Sequence, residues 1–151
     1  MNEAATERQT AIANIEKYFA EQPQVFSAEF MDVCHHLQGG IYTRAGKIPA
    51  GHVCVGTIHR TKNILHLAKG KMLVWNSENG AVQVFNAPCS AISQPGVRRI
   101  AVALEDCEGC NLMETTAENW EQAESEMFFP MTLPDRLGET ILQLNDAFQN
   151  L

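Results

Sequence analysis

Between Gly39 and about Met113 the apolar residues fall in short runs rich in Val, Ile, Leu and aromatics, punctuated by Gly, Pro and Asn. Runs this short between such breakers predict strands rather than helices. They are IYTR (41–44), HVCVGTIH (52–59), ILHLAK (64–69), KMLVWN (71–76), AVQVFN (81–86), SAIS (90–93) and RIAVALE (99–105), with SENG (77–80) as a hairpin turn. Strands so closely spaced predict a sandwich or small barrel. On either side the period becomes helical. Ile12, Ile15 and Phe19 fall at helical spacing within 3–20, and Pro23 lies beyond the end. Residues 25–37 fit a short helix or a turn. Thr116 is placed to cap a helix through Trp120 to about Phe128. After Pro130 and Pro134, the residues Leu137, Ile141, Leu144, Phe148 and Leu151 form an apolar stripe that packs on the barrel or on a second copy. The pattern divides the chain into an N-terminal helical extension (1–38), a β-barrel (39–114) and a C-terminal helical segment (115–151).

The composition bounds the class. A chain of 151 residues, 45% of them apolar, is long enough for one domain with a packed core. No apolar run reaches the roughly 20 residues that cross a bilayer, so no membrane partner is expected. The polar start MNEAATERQTAIANIEKYF does not resemble a signal peptide, which makes a cytoplasmic location the expectation. The five cysteines are an odd number and sparsely spaced, unlike a secreted disulfide framework.

Charge is distributed unevenly. Residues 1–40 carry six acids and two bases, residues 41–100 one acid and eight bases, and residues 101–151 eleven acids and one base. The predicted barrel is therefore basic between two acidic flanks. Either the flanks solubilise the centre or the centre binds an anion. A long polyanion such as nucleic acid is disfavoured, because the flanks repel it.

Within the basic centre, Gly51 is followed after five residues by Thr57-Ile58-His59, after three more by Asn63, and after six more by Gly70. This is the spacing of the first cupin motif, in which a His-x-His pair and a Glu stand where Thr57, His59 and Asn63 stand here. The chain also resembles small cupin-like proteins of bacteriophages and prophages. The resemblance rests on Tyr42-Thr43-Arg44, Ile48-Pro49-Ala50-Gly51, Gly56-Thr57-Ile58-His59, Leu67-Ala68-Lys69-Gly70, Pro95-Gly96-Val97-Arg98-Arg99 and Leu104-Glu105-Asp106, and covers about half the chain. It implies a mainly β, cupin-type double-stranded β-helix, or jelly-roll barrel, with an N-terminal helix and C-terminal helices, in host cytoplasm if the chain is phage-encoded. The sequence departs from the motifs at the metal ligands: Arg99 stands at the second motif's His, and Met113–Glu114 supply no His.

These departures redirect the chemistry. With His59 pointing inward, strand alternation places Val53, Val55 and Thr57 inward with it, and Asn63, Leu65 and Leu67 inward on the next strand, while His66 faces away. A catalytic metal needs about three protein ligands, and this set offers one strong one, His59. The expectation is no metal and no cofactor. Thr57, Asn63 and Arg99 at the motif positions make a neutral-to-positive, hydrogen-bonding pocket. Arg44 and Arg99 suit a phosphate or carboxylate, His59 and Asn63 suit a sugar or base edge, and Tyr42 or Trp75 suit stacking on a ring. The expected partner is thus a small anionic, nucleotide-like or sugar-phosphate ligand, bound without chemistry by a homo-oligomer. The phage resemblance implies sequestration of a host antiviral signalling molecule. A metal-dependent isomerase or dioxygenase and a virion component are the alternatives. Cys107-Glu-Gly-Cys110 is a lone pair of thiols placed at a strand-end turn, and His35-His36 a surface or interface pair.

Overall fold

The computed structural model describes residues 25–27, 31–76 and 82–129. The expected helix over 3–20, the SENG turn and the stripe from Leu137 to Leu151 lie outside these residues. The described chain forms ten strands: β1 (Val25–Ser27), β2 (Met31–Gln38), β3 (Ile41–Ile48), β4 (His52–Val55), β5 (Asn63–Lys69), β6 (Lys71–Asn76), β7 (Val82–Asn86), β8 (Cys89–Ser93), β9 (Arg99–Ala103) and β10 (Cys107–Glu114). One helix follows, α1 (Trp120–Met127). The strands make two five-stranded sheets, ordered β1-β4-β9-β6-β7 and β2-β3-β10-β5-β8. Their pairing is nested: β3 with β10, β4 with β9, β5 with β8 and β6 with β7, all antiparallel. Eight strands folded back on themselves in this order and shared between two sheets form a jelly roll. The strand β1, parallel to β4, and the strand β2, antiparallel to β3, extend the sheets by one strand each.

Three stretches differ from the sequence expectation. Residues 25–37, open between helix and turn, carry β1 and most of β2, and β2 pairs with β3 at the edge of its sheet. Its alternation is shallow, because Val33, His35 and Leu37 are only half-buried. CEGC is not a strand-end turn but the start of β10, where Cys107, Gly109, Asn111 and Met113 are buried in alternation. Cys107 and Cys110 therefore point to opposite faces, and no single ion or disulfide joins them. Gly109 permits this strand to lie close to β5, since a Cβ there would stand 2.8 Å from the His66 carbonyl oxygen. Finally, α1 is capped by Asn119 rather than Thr116. Asn119 has extended backbone and accepts the Gln122 N–H at 2.8 Å. Among the described residues, this one short helix stands where C-terminal helices were expected.

The space between the sheets is apolar at one end. Ile48, Leu67 and Cys107 of one sheet meet Met72, Val74 and Ala103 of the other, each about fully buried. Removing a large apolar side chain from water contributes about 1.5–3 kcal/mol. A second cluster, Tyr42, Met113, Ala123 and Met127, seats α1 against β3 and β10.

Candidate functional site

The other end of the same interior is polar. Arg44, Asn63, Arg99 and Asn111 each lie an even number of residues from an apolar core residue of their own strand, so they share its inward face. All four are buried, as are Ser93, Thr57 and His59. Buried polar groups in such number must be satisfied by one another or by something bound.

His59 reaches this end because β4 stops at Val55 and residues 56–58 are irregular. Gly56 starts the irregular segment by donating to the Arg99 carbonyl at 3.1 Å. A Cβ on Gly56 would stand 2.8 Å from that oxygen, so the close approach requires glycine. The His59 backbone then donates to Val97 O at 2.9 Å and accepts from Gly96 N–H at 2.8 Å. Beyond it the segment is strapped to the end of α1: Arg60 N–H donates to Met127 O at 2.8 Å and Phe129 N–H to Ile58 O at 3.0 Å.

The same break corrects the expected inward set. Cys54 pairs with Ala101, which pairs with Val74, and Cys54 and Ala101 both pack against the apolar interior. Cys54 therefore faces inward and Val53 faces away, with Val102 and Leu73 as register partners. Alternation counted back from His59 fails because the strand is interrupted between the two. On β5, whose pairing is regular from Asn63 to Leu67, the count holds. Asn63 and Leu67 are buried, whereas His66 meets Ser90 Oγ at 2.7 Å across the outer face.

Around His59 the hydrogen bonds form a chain. Asn63 Nδ2 donates to the Thr61 carbonyl at 3.1 Å and to His59 Nδ1 at 3.0 Å, while Asn63 Oδ1 accepts from Asn111 Nδ2 at 3.2 Å. Burial, and next the charge of Arg99, hold the imidazole well below its ordinary value, at about 4. His59 is thus neutral at physiological pH. Arg99 crosses between the sheets and donates to Ser93 Oγ and to Ile92 O of β8. Arg44 donates through Nε to Glu124 at 3.0 Å. Phe128 lies between the two halves, with its ring 5.7 Å from the Arg44 guanidinium carbon and 5.2 Å from the His59 ring, edge to face.

Of the residues named from sequence, the fold gathers Arg44, His59, Asn63 and Arg99 at this end. Thr57 is buried in the irregular segment. Tyr42 is not available for stacking: it is fully buried in the cluster under α1, its hydroxyl is 2.7 Å from His35 Nδ1, and burial, then Glu124, push its ionisation beyond the usual phenol range. Trp75 is on the opposite face of its sheet. Its neighbour Asn76 pairs with Arg99, whereas Trp75 pairs with Ile100. His35 and His36 are separated in the same way, His36 exposed and His35 stacked on Trp120 at 3.8 Å. Sequence reading missed Asn111, Ser93 and Phe128. Asn111 sits in a strand whose pattern hid it, but Phe128 had a signal in its place just after the predicted helix.

These residues do not fit a metal. Among the described residues no three His, Cys, Asp or Glu side chains come together. His59 Nδ1 already accepts a hydrogen bond from Asn63, and the Arg99 charge repels a cation. Among the described residues no helix is long and apolar enough to cross a membrane.

No family model matches the sequence, and no curated protein matches it. Solved structures do resemble it. Protein NMB1881 from Neisseria meningitidis is 14% identical, with a TM-score of 0.50 over 68% of this chain and 97% of that one. A cupin-2 domain protein from Shewanella frigidimarina, also 14% identical, gives 0.43 over 70% and 97%. An acetylacetone dioxygenase from Acinetobacter johnsonii, 17% identical, gives 0.46 over 62% and 74%. The likeness to the Neisseria protein is one of fold, and no activity follows from any of the three.

Proposed function

We propose that this protein is a cupin-type binding protein that holds a small anion, of the nucleotide or sugar-phosphate class, at the polar end of its barrel without transforming it. One observation carries the reading. Arg44 from one sheet and Arg99 from the other are both buried at that end, beside a neutral imidazole. Two buried guanidiniums, of which that of Arg44 meets the carboxylate of Glu124, favour an anionic guest. The bond from Arg44 to Glu124 has the form such recognition takes, a guanidinium on a carboxylate. Among the described residues no metal ligand set is brought together, and binding needs none. The resemblance to phage and prophage proteins extends the proposal to a role: sequestering a signalling nucleotide of the host's antiviral defence, inside host cytoplasm and as a homo-oligomer.

The test is native mass spectrometry of freshly purified protein with elemental analysis for zinc, iron, manganese and nickel. A co-purified organic phosphate, absent from Arg99→Ala, is the expected result. About one metal per chain, lost in His59→Ala, would overturn the reading in favour of an enzyme.

A further inference from the structure

The Thr61 carbonyl fixes more than one hydrogen bond. A carbonyl oxygen only accepts, so the Asn63 atom beside it is the amide nitrogen, and the amide is oriented without ambiguity. That nitrogen has only hydrogens to give, so His59 Nδ1 at 3.0 Å must present its lone pair. The ring proton of the neutral imidazole is then on Nε2. On the other side Asn63 Oδ1 must accept, so Asn111 Nδ2 donates. One backbone oxygen therefore orders the protons of three side chains. At the end of this order is the Nε2–H of a side chain only 5% exposed, whose other ring nitrogen is engaged by Asn63. A neutral imidazole N–H can only donate, so a polar atom of a guest that meets it there must accept.

We infer that His59 is a fixed hydrogen-bond donor to an oxygen of the bound anion, held in that role by the relay Thr61–Asn63, with Asn111 as its brace. This rests on the anion-binding reading and sharpens it. With Arg44, Arg99 and a donating His59, the ligand's inward end must be a deprotonated oxyanion, a phosphate or carboxylate, and not a neutral sugar face whose hydroxyls need acceptors. Asn63 and Asn111 are positioning residues; His59 is the group that touches the ligand. The relay also accounts for what the cupin motif has lost. An imidazole whose Nδ1 is engaged and whose Nε2 is protonated has no lone pair for a metal.

Long-range nitrogen–proton NMR of the ¹⁵N-labelled, ligand-free protein at pH 7 reads the tautomer directly. The proton is expected on His59 Nε2. A proton on Nδ1, or a doubly protonated ring, overturns the inference whatever the protein binds. Titration with inorganic phosphate, and separately with AMP, is then expected to move the Nε2 resonance far more than Nδ1. His59→Phe is expected to weaken binding at least tenfold while keeping the wild-type melting temperature within a few degrees. An unmoved Nε2, or wild-type affinity in His59→Phe, also overturns it. The expected tautomer with neither probe bound overturns the anion reading itself, and with it the role given to His59.

Discussion

The two ends of the barrel interior are made from the same strands and differ in almost everything else. Ile48, Leu67, Ala103 and Cys107 line the apolar end; Arg44, Asn63, Arg99 and Asn111 line the polar one. Each pair is on one strand, four residues apart: 44 and 48, 63 and 67, 99 and 103, 107 and 111. Four residues are two pleat periods, roughly 13 Å along a strand, so the inward face is kept while the chemistry changes. An apolar end repays its burial by itself. A polar end does so only if its hydrogen bonds close. The fold's stability and the protein's proposed function are thus separated by half a strand's length.

Four experiments bear on that separation. The largest effect belongs to the apolar end. Leu67→Ala is expected to lower unfolding free energy by about 3 kcal/mol, from lost transfer energy plus a cavity, while phosphate affinity of the folded fraction stays near wild type. Urea titration and calorimetry measure the two, and a large loss of affinity would erase the distinction. Next comes pH. His59 titrates near 4 in the fold and at its ordinary 6.5 when unfolded. Its neutral form is favoured by folding, so its contribution is complete above pH 6.5. It is lost as pH falls from 6.5 to about 4, when the unfolded chain takes up a proton that the fold refuses. The loss is on the order of 3 kcal/mol, read as the urea midpoint across that window, and His59→Gln is expected to flatten it.

A smaller effect probes the relay. Asn63→Leu is expected to cost about 2 kcal/mol, because Asn111 Nδ2 loses its acceptor. Adding Asn111→Leu should recover about half, since removing both partners leaves less unsatisfied. If the double variant is as unstable as the sum of the singles, the polar end is supporting the fold and not only the ligand. The smallest change tests α1. Asn119→Ala removes the cap on the Gln122 N–H and is expected to cost about 1 kcal/mol, with ligand binding reduced only as far as Phe128 shifts.

Much of the barrel could be read from the sequence because β5, β6, β8 and β9 follow short punctuated runs. The candidate residues Arg44, His59, Asn63 and Arg99 were reachable through motif spacing, which marks positions along the chain whatever residue types occupy them. Two physical facts kept the rest hidden. Alternation carries information only along an unbroken strand, and the interruption at Gly56 reversed the assignment of Val53 and Cys54. Burial is visible in a sequence only when buried residues are apolar. The strand β10 buries Gly109 and Asn111 beside Cys107 and Met113, and its hydrophobic signal is correspondingly faint. Trp75 illustrates the converse error: an aromatic one residue from Asn76, the register partner of Arg99, lies on the other side of the sheet.

The strap that joins residues 58–60 to 127–129 also sets a timescale. The Arg60 and Phe129 amide hydrogens can reach solvent only when their bonds to Met127 and Ile58 part. Phe128, beside these bonds, meets His59 edge to face and flanks Arg44, so on the proposed reading the strap borders the place where a guest is held. Deuterium uptake at those two amides reads how often the strap opens, which on the proposed reading is the motion expected to limit release of a guest. Uptake over hours would make the barrel a trap that removes a molecule from circulation; uptake in milliseconds would leave it a buffer that only borrows one.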